Sequence, residues 1–216
     1  MSIESGSSLD SGYFTNDRAD VLAVVPPASS YLEVGCGAGA FGATVKAAHP
    51  GSDVWGIELV PEAAAEARTR LDHVVAGPFP DVADEIDRTF DCIICNDVLE
   101  HMVDPWSALD RLVTMLAPGG AIVASIPNVR HPQTIVDLVV RGRWDYVPSG
   151  VLDRTHLRFF TKATMVELFE GAGMRVERIV GSFPIGGNRW SWLRLTSWPV
   201  VRHLLWRQYI LVARVP

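Results

Sequence analysis

"LEVGCGAGAFG", residues 32–42, decides the fold. Gly37, Gly39 and Gly42 spell G-x-G-x-x-G, the fingerprint of a dinucleotide-binding turn between a strand and a helix. Gly35, Gly37 and Gly39 spell a second register, G-x-G-x-G, behind the acidic Glu33. In either register the glycines allow a tight turn and let a ligand approach the backbone closely. The loop alone leaves both open, and close packing of a helix on a strand would use it too.

Outward from the loop, the pattern is regular. Residues 31–35 read as a strand, and the helix after the glycines runs to about 48, where His49-Pro50-Gly51 stops it. A short helix over 16–25 precedes them and ends at Pro26-Pro27. Strands follow at 53–59, 73–77, 90–96 and 121–126, separated by helices at 61–71, 81–86 and 105–116. Pro61 suits the first position of its helix. This alternation predicts an α/β fold with a parallel, doubly wound sheet. Helices at 133–141 and 161–171 and strands at 175–182 and 208–215 complete the chain. We divide it into an N-terminal cap segment, 1–29, and one domain, 30–216, which carries a Trp- and Arg-rich insertion at 183–207.

Composition agrees with one domain. The chain has 216 residues, 48% of them hydrophobic, enough for a large core. No apolar run is long enough to span a bilayer, and the first residues lack a secretory pattern, so a cytoplasmic address is expected. Cys92 and Cys95 form C-x-x-C within a predicted strand, where residues three apart face opposite sides, so a shared metal or redox pair is not expected. Net charge is −6, unevenly spread: from Arg178 onward there are six arginines and no acid, so that stretch is +6 and the rest −12.

Three features choose between the registers. Glu33 places a carboxylate at the end of the first strand. It suits the cationic amino group of S-adenosylmethionine (SAM) and would repel a pyrophosphate. Little chain is left for a hydride-transfer site. The final two strands form a hairpin, which an all-parallel dinucleotide fold does not require. Glu58, ending the second strand, can accept hydrogen bonds from ribose hydroxyls.

The second register resembles the SAM loop of methyltransferases, and four stretches extend the likeness: "YLEVGCGAGAFG", "VWGIELVPEAAAEAR", "FDCIICNDVLEHMVDPWSALDRLVTMLAPGGAIVASIPN" and "DRTHLRFFTKATMVELFEGAGM". The chain is similar to class I SAM-dependent methyltransferases of the group that includes the ubiquinone-biosynthesis O-methyltransferases. The resemblance implies a Rossmann-like, seven-stranded mixed sheet in order 3-2-1-4-5-7-6 with strand 7 antiparallel. It implies that Glu33, Gly35, Cys36, Gly37, Ala38 and Gly39 hold the methionine part of SAM and Glu58 the ribose. Leu59 would flank the adenine, and Asn96, Asp97 and Val98 would close over the cofactor. The family often has Gly-Asp after the third strand. Here it is Gly77-Pro78, so the adenine contact would come from backbone near Ala76 and Gly77.

Methyl transfer from a sulfonium asks the protein to align the acceptor, exclude water and, for a hydroxyl, supply a base. His156, in "DRTHLRFF", and His131, after "IPNV", are the candidate catalytic residues. Each also has a structural reading, His156 satisfied by Asp153 or nearby arginines and His131 at a helix start. Some relatives carry E-x-x-E-H and use it with a later histidine to bind a divalent metal. Asp97, Glu100, His101 and His156 correspond here, with aspartate in place of the first glutamate, and a metal-free site is expected.

The function expected is a SAM-dependent methyltransferase acting on oxygen or nitrogen of a small metabolite or sugar. The alternatives are a non-catalytic SAM-binding protein and a nicotinamide-dependent oxidoreductase. Nucleic acid is not an expected partner of the acidic main domain. The insertion admits two readings. One is a surface helix packed on the sheet or on a second subunit of a homodimer. The other is an acceptor-side lid or peripheral membrane contact favouring an anionic acceptor, such as a sugar carried on a phosphate.

Overall fold

The computed structural model describes residues 18–184 and 204–216. Residues 1–17 of the cap segment and 185–203 of the insertion, with its expected surface helix, lie outside the described residues.

Seven strands form one sheet: β1 (Ser30–Val34), β2 (Asp53–Glu58), β3 (His73–Ala76), β4 (Phe90–Asn96), β5 (Leu116–Pro127), β6 (Arg175–Pro184) and β7 (Trp206–Arg214). Their order is β3-β2-β1-β4-β5-β7-β6. The first five run parallel, and β7 is antiparallel to β5 and to β6. The fold is the Rossmann-like mixed sheet that the resemblance implies. The strand order reverses at β1, between β2 and β4, and open α/β sheets bind ligands beyond the carboxyl ends of strands at such a point.

Alternation along the central strands feeds two cores. Leu32, Val34, Ile93 and Cys95 join one cluster, and Tyr31, Cys92 and Ile94 the other. Cys92 and Cys95 are thus free, buried and on opposite faces of β4, as their spacing predicts.

The helices are α1 (Ala19–Leu22), α2 (Ala40–Ala48), α3 (Pro61–Ala67), α4 (Phe79–Val82), α5 (Pro105–Thr114), α6 (Pro132–Val139) and α7 (Lys162–Gly171). Asp104 caps α5 by accepting from the Ser107 backbone at 3.1 Å, a contact worth about 1 kcal/mol. Thr161 and Thr164 exchange the reciprocal bonds of a capping box at α7. Two expectations need correction. β5 starts at Leu116, not 121, because Leu116 pairs with Phe90 and the Phe90 amide donates to the Met115 carbonyl, ending α5 early. The first helix is one turn in the described chain, since Arg18 has φ 22° and cannot belong to it. Residues 18–29 still pack on the sheet: Val21 and Val25 enter the second core cluster.

Candidate active site

The glycine loop expected to cradle the cofactor is built from backbone. Gly35, Gly37 and Gly39 all have positive φ, at 70°, 54° and 80°, so side chains at these positions would be strained. Gly39 caps α2 in the left-handed region. The Gly35 and Cys36 amides donate to the Ile57 carbonyl at 2.8 and 3.0 Å, tying the loop to β2. Glu58 completes the tie by accepting from Gly37 N–H at 2.7 Å and Val60 N–H at 2.9 Å. Its carboxylate keeps further lone pairs for hydroxyl donors. Cys36 is a buried thiol whose sulfur fills the space at Gly56, where an added Cβ would sit 2.5 Å from it. Ala38 accepts from the Arg70 guanidinium. Leu59 is 62% exposed beside this loop, an apolar surface open to a flat ring. Gly77, at the end of β3, donates to the Glu58 carbonyl at 2.8 Å, which brings Ala76 and Gly77 to the same edge.

Among the described residues, eight buried side-chain polar atoms lack a hydrogen-bond partner. Five of them belong to Glu33, Asn96 and Glu100, at or just past the carboxyl ends of β1 and β4. The Gly42 amide and the Asn96 side chain face Glu33, whereas both carboxylate oxygens of Glu100 stay unpartnered, and buried polar groups are normally paired. Burial pushes the Glu33 carboxyl up to about 8. A cationic amino group alongside would restore its charge.

Past Asn96 the chain makes a tight turn. Asp97 has φ 53° and Val98 packs on the glycine loop, its Cγ2 only 2.6 Å from where a Cβ on Gly35 would lie. Beyond this turn opens a cavity of about 830 Å³. Both candidate histidines line it, together with Asp97, Glu100 and Asp153. His156 arrives from far along the chain because the Glu100 carbonyl accepts from the Leu157 and Arg158 amides at 2.8 and 3.0 Å. Its Nδ1 lies 3.0 Å from the Val151 carbonyl, which can only accept, so Nδ1 carries the proton and Nε2 the lone pair. Burial lowers its pKa, and burial followed by the Arg207 charge lowers that of His131. Both imidazoles are held neutral. The Asp153 of the structural reading bonds the Thr155 amide and hydroxyl, at 2.8 and 2.7 Å.

Glu100, His101 and His156 converge, each offering a ligand atom within 4.8 Å of the others. The residues fit a divalent metal. Glu100 is 1% exposed with both carboxylate oxygens unpartnered, and burial raises its pKa well above the usual range. His101 Nδ1 faces the Thr155 carbonyl at 3.2 Å, so its Nε2 is free to ligate as well. Asp97 does not join them. Its carboxylate accepts from Arg18 and Gln208. Arg18, Gln208 and the cavity wall over 145–153 escaped the sequence reading. Arg18 alone carried a signal, as the single basic residue among the first 45.

A family model described as "Methyltransferase domain" matches residues 13–179. The ubiquinone biosynthesis O-methyltransferase of Aeromonas salmonicida is 29% identical over 158 residues, which cover 69% of this chain and 64% of that protein. The enzyme of the same name from Psychrobacter arcticus is 30% identical over 184 residues, 79% of this chain and 68% of that one. The chain thus spans about two thirds of the length of these curated relatives. SAM-bound CalS10, an amino pentose methyltransferase from Micromonospora echinaspora, superposes with a TM-score of 0.61 at 20% identity over the whole of both chains, a likeness of fold. The chain belongs to the methyltransferase-domain family, the class I SAM-dependent methyltransferases.

Proposed function

We propose that the protein moves the methyl group of SAM to an oxygen or nitrogen of a small, sugar-type acceptor, with His156 as general base. One observation carries this reading: an 830 Å³ cavity, within the size of small-molecule sites, lies across the Asp97 turn from the glycine loop. The acceptor's lone pair forms a bond to the methyl carbon and the carbon–sulfur bond breaks. The electron pair stays on sulfur, giving S-adenosylhomocysteine. The acceptor's proton goes to Nε2 of His156. In this reading Glu33, Asn96 and the loop from Gly35 to Gly39 hold the methionine part of SAM, Glu58 the ribose, and Leu59, Ala76 and Gly77 the adenine. His131 flanks the acceptor.

The lining supports an acceptor class. Asp137, Asp145 and Asp153 offer acceptors for hydroxyl or amine donors, and Arg207 suits an anionic group. Both features fit a sugar bearing a phosphate or carboxylate. A cytoplasmic address and a homodimer accompany this reading, and cell fractionation and sedimentation test them.

The unpartnered Glu100 supports a second version in which Glu100, His101 and His156 hold a divalent metal. Such an ion would lower the pKa of an acceptor hydroxyl and orient it. The test is to incubate the protein with SAM and a panel of nucleotide sugars, amino sugars and phenols, and read S-adenosylhomocysteine and methylated product. Turnover that survives a chelator supports the base reading, and turnover lost to the chelator and restored by a divalent ion supports the metal. SAM binding without turnover on any acceptor would replace the proposal with a non-catalytic SAM-binding protein. Thermal stabilisation by NADH and not by SAM would point to an oxidoreductase.

A further inference from the structure

Among the described residues, three that are not glycine have positive φ: Arg18, Asp97 and Phe183. They lie far apart in sequence, yet all three line the same cavity. The Arg18 guanidinium lies 5.7 Å from the Phe183 ring centroid and donates to the Asp97 carboxylate. Backbone strain of this kind persists only where the surroundings enforce it, and it gathers at functional sites.

The surroundings here are a closed network. Arg18, its side chain 7% exposed, bonds Asp20 at 3.1 Å and Gln208 at 3.3 Å besides Asp97. Gln208 donates to the other Asp97 oxygen, and Ser182 donates to Asp20. One guanidinium therefore ties the N-terminal helix to β7, directly and through Asp20 to β6, and to the turn that ends β4. That turn carries Val98 against Gly35 on one side and Glu100 on the cavity on the other.

We propose that Arg18 is a positioning residue for the cofactor site, acting through Asp97: it holds the turn between the glycine loop and the cavity in its strained shape, so that Val98 closes the loop. The proposal rests on SAM occupying that loop. Loss of the cation leaves the partly buried Asp97 without its countercharge, and the turn relaxes away from Gly35.

The test is a double-mutant cycle read by SAM calorimetry, with circular dichroism as the folding check. Arg18→Gln is expected to weaken SAM at least tenfold, about 1.4 kcal/mol. Asp97→Asn alone gives the same loss, the double variant is no weaker than either single, and Arg18→Lys recovers most of the affinity. Leu109→Ala, a change in the main core cluster at a residue outside the network, leaves SAM affinity within twofold and shows that lost stability alone does not mimic the effect. If Arg18→Gln does not fold, Asp97→Asn with and without Arg18→Lys completes the comparison. Losses that add in the double variant, a loss in Arg18→Gln with none in Asp97→Asn, or no loss in either would each overturn the proposal. Failure of the wild-type protein to bind SAM would instead defeat the cofactor reading on which it rests.

Discussion

The cradle and the cavity wall are built in opposite ways. The cradle uses backbone amides, three left-handed glycines and two carboxylates, Glu33 and Glu58, all within one strand–loop–helix–strand unit. The wall uses side chains from Arg18, His131, His156 and Gln208, brought together only when β7 inserts beside β5 and the Glu100 carbonyl captures the segment after His156. In the proposed reading, cofactor binding is a property of local chain geometry, and acceptor binding is a property of the assembled fold. Outside the Arg18–Asp97 network, which joins the two, changes in one half should therefore leave the other half's measurement alone.

The largest expected effect tests that separation in the cradle. Gly37 has φ 54° and its amide donates to Glu58. Gly37→Leu should weaken SAM by a factor of about a thousand, roughly 4 kcal/mol, while the backbone strain costs about 1–3 kcal/mol of stability and the sheet stays folded. Calorimetry showing ordinary SAM affinity in this variant would remove the cofactor from the loop. The matching change in the wall is His156→Ala. Turnover should fall about a hundredfold or more, the usual worth of a general base, with SAM affinity kept within twofold. Turnover within twofold of wild type, about 0.4 kcal/mol, would leave His156 as a filler between His101 and Phe159, whose rings lie 4.8 and 6.3 Å from its own.

This division also explains what the sequence could disclose. Glycine at 35, 37 and 39 is demanded by local φ, so the conformation of the loop was readable in place, while the cofactor roles of Glu33 and Glu58 rest on the resemblance. The order of the strands came from resemblance, since alternation alone predicts a parallel sheet without saying which strands are neighbours. Arg18 and Gln208 were not readable as a pair. Their contact spans 190 positions and depends on β7 lying beside β5. His101 and His156 were legible as types, yet only the Glu100 carbonyl's grip on residues 157 and 158 makes them neighbours. The start of β5 was misplaced because Ala117-Pro118-Gly119-Gly120 reads as a turn, while pairing with β4 draws it into the strand.

A smaller effect comes from the proton on Glu33. Burial holds its carboxyl at about 8 against an ordinary 4.5. Between those values the folded chain keeps a proton that the unfolded chain has lost, so this group lowers stability as pH rises from about 4.5 to 8. A bound ammonium reverses the preference and expels the proton. SAM affinity should rise with pH, by at most about tenfold per unit and levelling above 8. Calorimetry at pH 7 in buffers of different ionisation enthalpy should detect release of close to one proton, absent in Glu33→Gln. A flat pH profile with no proton released would mean that Glu33 does not face the cationic end of the cofactor, and the cradle would lose its one charged recognition element for that group.

The smallest effect belongs to the rim of the wall, and it sharpens which acceptor the cavity takes. Asp145 lines the cavity with a side chain 57% exposed and pairs with Arg143, so water screens its charge and its effect is small. Arg207 faces the same space and helps keep His131 neutral. The two charges pull in opposite directions on any ionic acceptor. With an anionic acceptor, Arg207→Gln should raise KM about threefold to fivefold, and Asp145→Asn should lower it slightly. With an amine acceptor the signs exchange, and with a neutral sugar neither variant moves KM by more than about twofold. SAM affinity should hold in both variants, because neither residue touches the glycine loop. The informative measurement is therefore the sign of the KM change at two salt concentrations, since screening must shrink a true charge effect. A change that ignores salt would assign these residues to shape, and a change in SAM affinity would show that the coupling of cradle and wall reaches beyond the Arg18–Asp97 network.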